Sequence, residues 1–307
     1  MLDIVGKRYW YFLLSLLIIV PGLVGLALWG LPLAIDFTGG SLLEIRFDPG
    51  QRPAPAEVVA LYADLGISDP LAQLAGDQDV VVRSRTIDED QQAAVMAEME
   101  ARFGSQVQLL RFETVGPSVG AEVAERAAMA VGLATLGILA YITLAFRRVE
   151  HAFRYGVAAI LAMLHDVAVV IGLEAFLGHF LGWEVDALFL TALLTVIGFS
   201  VHDSIVVFDR IRENKSIYRR LSYEKLVNHS IIQTLDRSIN TQLTVALTLL
   251  ALLLLGGVTT RHFVTILLIG VFSGTYSSIF NAAPLLVVWE NKEWRRWFRR
   301  RTPASAI

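Results

Sequence analysis

The first group in this chain that could do chemistry is a carboxylate inside an apolar run. Residues 187–208, ALFLTALLTVIGFSVHDSIVVF, are apolar enough to cross a membrane, yet they carry His202 and Asp203. An ionised side chain in hydrocarbon is costly, so such a residue usually faces a partner or a water path. One reading of Asp203 is a proton-binding carboxylate. Burial disfavours the charged form and a nearby cation favours it, so a group balanced between the two can load and unload a proton. The other reading is a fixed ion pair or a hydrogen-bonded helix contact. At about 1.5 Å per residue, Asp203 lies about 9 Å along a helix from Asp209. An aspartate does not reach that far to water, so a protein partner is expected.

Arg237 is the candidate counter-charge. It opens RSINTQLTVALTLLALLLLGG, and Asn240, Thr241 and Thr244 follow it as possible hydrogen-bonding groups. An arginine at a span end also commonly snorkels to lipid headgroups. His165 and Asp166 sit near the middle of another apolar run, 155–176. Adjacent helical residues point about 100° apart, so a relay role and a packing role both stay open. A histidine titrates near physiological pH, but His202 reads better as a polar packing group. Glu174 falls near the end of its run and is expected to reach water.

Other chemistries find little support. The chain has no cysteine, which excludes disulfides, thiolate chemistry and cysteine metal sites. Neither His–Asp pair belongs to a three-ligand set on one helix, and no phosphate-binding G-x-x-x-x-G-K-[ST] occurs. Neither a metal nor another cofactor is expected, and no nucleic-acid partner. No enzyme reading competes, because residues 31–126 contain no histidine and no visible catalytic constellation.

The elements that must position these residues are membrane spans. The chain has 307 residues, 55% of them hydrophobic, with a mean hydropathy of +0.56. That describes a polytopic membrane protein. Six spans are expected at 11–29, 127–146, 155–176, 187–208, 238–258 and 263–289. Basic residues cluster before the first span, between the second and third, between the fourth and fifth, and after the sixth. By the positive-inside rule both termini are cytoplasmic. The first span is too long for a signal-peptide core and lacks a following A-x-A, so it is expected to be retained.

Four regions follow: 1–30, a cytoplasmic end and first span; 31–126, an outer domain; 127–289, the remaining spans with a cytoplasmic loop 209–237; and 290–307, a basic tail. The tail contains WRRWFRRR, suited to anionic lipid or to plain anchoring. Residues 31–122 hold fifteen Asp or Glu against six Arg and no Lys, so the outer domain is acidic. Leu43, Ile45 and Phe47 alternate as in a half-buried strand. Val58, Leu61, Tyr62 and Leu65 follow helical spacing up to Gly66. Strands are expected at 80–83 and 107–112, with Met96, Met99 and Phe103 on one helical face between them. This β-α-β-α-β order predicts a small α+β, ferredoxin-like domain with one helical layer. Gly39, Gly40, Pro117 and Gly120 are expected at turns or hinges. Gly270 and Gly274 form a GxxxG spacing that suits close helix packing, within the chain or with another subunit.

Taken together, several motifs resemble the SecF family of protein-export membrane subunits. They are DFTGGSLLEI after the first span, VGPSVGAE before the second, MLHD in the third, and GFSVHDSIVVFDRIREN at the end of the fourth. RSINTQLT opens the fifth span and GTYSSIFNAAPLLVVWE closes the sixth. The motifs occur in family order over nearly the whole chain. The resemblance implies half of a resistance-nodulation-division architecture, with SecD as the other half. It also implies the SecYEG translocon, YajC and an unfolded preprotein as partners, and a lipid setting in the cytoplasmic (inner) membrane. Proton-motive force would promote translocation, with Asp203 and Arg237 as the proton relay. His165, Asp166, His202, Asn240 and Thr241 would lend polar support. Two alternatives remain beside it: a proton-coupled exporter subunit for small molecules or lipids, and a scaffold that transduces nothing.

Overall fold

The structure is a computed structural model that describes residues 2–293 apart from residues 105, 148 and 150. The basic segment WRRWFRRR and Arg148 lie outside the described residues. In chain order the elements are α1 (Arg8–Trp29), α2 (Ile35–Thr38), β1 (Gly40–Arg46), α3 (Pro55–Asp64), β2 (Leu71–Ala75), β3 (Asp79–Ser84), α4 (Glu89–Phe103) and β4 (Gln108–Val115). Then follow α5 (Pro117–Ala145), α6 (Ala152–Leu181), α7 (Ala187–Ile217), α8 (Tyr223–Leu255), α9 (Val258–Ser277), a π-helical turn (Ser278–Ala282) and α10 (Ala283–Glu290). Six stretches of the described residues are long and apolar enough to cross a membrane: Val5–Trp29, α5, α6, α7, α8 and Thr260–Glu290. Several run past the apolar segments, because amphipathic sequence such as 209–217 continues α7 without a break.

The chain divides into two compact units. One comprises residues 1–30, 131–179 and 188–307 and holds the helix bundle. Glycine brings its backbones together. A Cβ on Gly22 would lie 2.9 Å from the Cα of Gly172, so α1 and α6 touch backbone to backbone. The GxxxG of α9 faces α7 within the chain: a Cβ on Gly270 would lie 2.0 Å from Val196, and one on Gly274 would lie 3.3 Å from Ser200. At one end of the bundle Arg8 is buried and donates to Glu293 at 2.5 Å and to Glu224 at 2.9 Å. That cluster ties the start of α1 to the start of α8 and to the segment after α10.

The other unit comprises residues 31–130 and 180–187. Its strands form one antiparallel sheet in the order β2-β3-β1-β4, the ferredoxin-like arrangement. Leu43 pairs with Val82 on one side and Phe112 on the other. The side chains of Leu43, Ile45, Val80 and Val82 pack with Val58, Leu61 and Tyr62 of α3 and with Val95 and Met99 of α4. Asp88 caps α4 by accepting from the Gln91 N–H at 2.8 Å. The sheet has one strand more than the sequence reading, β2. It is an edge strand with exposed Leu71 and Leu74 and no β-branched residue, so neither alternation nor propensity marks it.

The DFTGG segment sets a tight junction inside this unit. Gly39 has φ +75°, and a Cβ there would lie 2.6 Å from the Cα of Pro117. A Cβ on Gly120 would lie 2.7 Å from the Gly39 nitrogen. Pro117 opens α5 and Gly120 lies within its first turn, so Gly120 belongs to a helix rather than a turn. Its missing side chain admits another backbone. Asp36 accepts from the Ala187 N–H at 2.8 Å, capping the start of α7.

Candidate functional site

The site is built on two antiparallel helices. On α8, Ser230, Thr234, Ser238 and Gln242 recur every four residues, and all are buried. A spacing of four keeps them on one face. That polar stripe faces α7. Asn214 Nδ2 donates to Ser230 Oγ at 2.8 Å, and about three turns away Gln242 Nε2 donates to Asp203 Oδ2 at 2.5 Å. Asp203 is 2% exposed. Its nearest polar neighbour is therefore a neutral amide. Gln242 Oε1 and Ser238 Oγ are buried and have no hydrogen-bond partner among the described residues, and the same holds for Ser200 Oγ one turn before Asp203. A buried carboxylate next to unsatisfied polar atoms is an arrangement that a proton or a water molecule can enter, and such atoms call for a functional explanation.

Arg237 is elsewhere on α8. It is exposed and makes no ion pair among the described residues. It lies five residues before Gln242, about 7.5 Å along the axis and turned about 140° around it. Asn240 and Thr241 are also exposed, and Thr244 is bonded back to the Asn240 carbonyl at 2.8 Å. His202 is exposed beside buried Asp203. The structure therefore brings Asp203 together with Gln242, a residue the sequence reading passed over. The four-residue polar stripe of α8 was the signal that could have found it.

His165 and Asp166 face a common centre on other helices. The His165 ring reaches Asp166 Oδ1 through Nδ1 and Ser15 Oγ through Nε2, each at 3.0 Å. Ser273 and Ser277 donate to the two Asp166 oxygens at 2.6 Å. Asn281 donates to Ser15 at 2.8 Å. Asp166 is thus satisfied on both oxygens, joining α6 to α1 and α9. The next residue, Ser278, lies 3.1 Å from Ser204 Oγ and donates to the Ser200 carbonyl. Consecutive serines at the start of the π turn so link the Asp166 centre to the helix that carries Asp203. π turns occur often at functional sites. Glu174, expected near water, is fully buried. Phe189 of α7 and His262 of α9 form a stacked pair beside it.

The chain matches the family described as protein export membrane protein SecD/SecF, C-terminal, over residues 95–292, and the SecD/SecF GG motif over residues 30–51. It is 61% identical to a protein translocase subunit SecF of Anaerolinea thermophila, over the full length of both chains. It is 52% identical to the SecF of Thermobaculum terrenum, covering 100% of this chain and 99% of that one. Among solved structures it resembles SecDF of Thermus thermophilus, described as a translocon-associated membrane protein. The TM-score is 0.83 at 35% identity, over 94% of this chain and 39% of that one. The glycine junction after α1, the Asp203 helix and the polar stripe of α8 all fall within the matched stretches, and the chain belongs to the SecF family of multi-pass membrane proteins.

Proposed function

We propose that this chain is an accessory subunit of the Sec protein translocase which, paired with a SecD half, uses the proton-motive force to promote preprotein movement and release. The observation that carries the proton-coupled part is the Asp203–Gln242 contact: a buried carboxylate served by one neutral donor, with unsatisfied polar atoms of Gln242 and Ser238 on the same stripe. In this arrangement an amide meets Asp203. In the opposite state the ionised carboxylate is met by the Arg237 guanidinium. Coupling requires that the two protonation states of Asp203 prefer different helix arrangements. A potential of about 100 mV supplies about 2.3 kcal/mol for each charge moved fully across.

The matching stretch is part of longer proteins named SecDF in Thermus thermophilus and Bacillus subtilis, of which this chain covers 35% and 39%. That supports a SecD partner for a chain carrying one six-span half. SecYEG, YajC and the unfolded preprotein are the further partners in this reading. The distribution of basic residues supports insertion in the cytoplasmic membrane with both termini inside. The ferredoxin-like unit then lies outside, where it meets the emerging preprotein.

The test is a pulse-chase of a secreted precursor in cells that depend on this chain, with Asp203→Asn and Arg237→Gln introduced separately. Protein level and SecD co-purification are followed in parallel. Export should slow in both while assembly stays normal. Normal export in Asp203→Asn cells would remove the proton relay and leave a scaffold.

A further inference from the structure

Glu174 is a buried acid that the Asp203 reading does not use. It lies on α6 with its side chain fully buried. His262, on the first turns of α9, meets Oε2 through Nε2 at 3.0 Å. The second oxygen, Oε1, has no hydrogen-bond partner among the described residues. Phe189, at the start of α7, lies against the imidazole with ring centroids 6.1 Å apart. The ends of three helices thus close over one carboxyl group.

The contrast with Asp166 is informative. Asp166 is equally buried, but both its oxygens are bonded by His165, Ser273 and Ser277, as a carboxylate that fixes packing should be. Glu174 is satisfied on one side only, and an unfilled buried carboxylate oxygen is expensive to maintain for packing alone. The pair is also polarised in access. The His262 side chain keeps 18% of its surface exposed while that of Glu174 keeps none. Imidazole is the one side chain whose ordinary titration falls at physiological pH. Arg261 is exposed and His179 stacks on Trp29 at 4.3 Å. The packed stretches 9–29 of α1, 187–201 of α7 and 238–255 of α8 contain no Asp, Glu, Lys, Arg or His.

We propose that Glu174 and His262 form a second proton-exchange site, a carboxyl–imidazole pair that passes protons between the exposed edge of the bundle and its interior. Neutral His262 donates through Nε2–H to the carboxylate, and a proton added at Nδ1 gives an imidazolium. Its Nε2 proton then passes to the carboxylate, leaving the Nδ1–H tautomer of neutral imidazole and a neutral carboxyl. Release of the carboxyl proton and exchange of the imidazole proton from Nδ1 back to Nε2 restore the start, so that one proton has entered and one has left. Phe189 and Asp203 are fourteen residues apart on α7, about 21 Å along the helix, so the two sites lie at different depths. The proposal rests on the proton-coupled reading and adds a second station to it.

The test is infrared difference spectroscopy on the full chain with its SecD half in lipid vesicles, titrated through the imidazole range. A protonated-carboxyl C=O band should appear and disappear with pH, be lost in Glu174→Gln and survive in Asp203→Asn. Absence of a titrating band, or its persistence in Glu174→Gln, overturns the proposal. Should Glu174→Gln fail to assemble, histidine-labelled wild-type protein gives the same answer by nuclear magnetic resonance. The His262 signal, assigned through His262→Gln, should titrate; a constant signal overturns the site. Vesicle proton flux is read beside these. Loss of flux in Glu174→Gln supports the proposal. Unchanged flux in Asp203→Asn counts against the Asp203 reading alone, because the Glu174 band is measured independently.

Discussion

Replacing Gln242 by leucine tests whether the Asp203 contact is energetic or merely adjacent. The change removes the only described donor to Asp203 Oδ2, 2.5 Å away, and also the unpartnered Gln242 Oε1. It roughly keeps the volume. Deleting a donor from a buried acceptor costs about 1–3 kcal/mol in water-soluble proteins. Polar contacts between membrane helices average about 0.6 kcal/mol and reach about 1.7, because the separated helices find other partners. The membrane figure governs here, and loss of the orphan oxygen returns part of the cost. A net destabilisation of about 1 kcal/mol follows, roughly a fivefold change in the folded-to-unfolded ratio. The assay is a double-mutant cycle, with Asp203→Leu, Gln242→Leu and the pair unfolded from mixed micelles by increasing sodium dodecyl sulfate. The coupling should be about 1 kcal/mol. If the single changes add within about 0.3–0.5 kcal/mol, the two side chains do not support one another and the geometric argument for the site fails.

Two further perturbations probe the frame. Gly270→Ala puts a methyl into space held by Val196, so it should destabilise by about 1–3 kcal/mol; Val196→Ala in the same chain should recover much of that loss, and no recovery in detergent unfolding would refute α7–α9 contact as the cause. In the sheet unit, the Arg46 guanidinium bonds Asp79 at 2.7 Å and 2.8 Å and holds its carboxyl below the usual aspartate range. The stability from this pair is therefore full above the ordinary aspartate pKa and is lost as pH falls through the lower folded value. An Asp79→Asn chain should lose less stability over that interval than the parent, and identical acid limbs in the two titrations would refute the contribution.

Much of the molecule was legible because apolar length and charge are strong signals. The six spans follow from runs about as long as a bilayer is thick. The sheet unit showed through Leu43, Ile45 and Phe47, whose alternation reports a half-buried strand. Strand β2 stayed hidden because LAQLA is an edge: Leu71 and Leu74 point out and nothing in its composition favours a strand. Asp203 announced itself because a carboxylate in an apolar run must find a partner or a water path. Its partner did not. Gln242 is uncharged and sits among threonines, so a search for counter-charge settled on Arg237. The four-residue recurrence from Ser230 to Gln242 was present, but polar periodicity draws less notice than apolar periodicity. Glu174 was misplaced for a related reason: distance from a span end indicates water only when no neighbouring helix covers the position, and Phe189 and His262 are remote in sequence.

The π turn Ser278–Ala282 has a genetic consequence. It holds one residue more than an α-helical path needs, and the polar contacts made within it depend on that surplus. Before it, Ser277 meets Asp166; within it, Ser278 meets Ser204 and Asn281 meets Ser15. Deleting one codon here would leave an unbroken helix of ordinary pitch, and because the wide turn sweeps about the same angle as four α-helical residues, the helix beyond it would keep its face. The apolar residues of α10 that pack inward, Leu286 and Val287 among them, would stay on the core, while the contacts made within the turn, Ser278 to Ser204 and Asn281 to Ser15, would lose their register. A single-residue deletion should therefore cost the polar contacts of this turn and spare the apolar packing after it, whereas a deletion in the ordinary helix of α10 would swing every residue beyond it by about 100°.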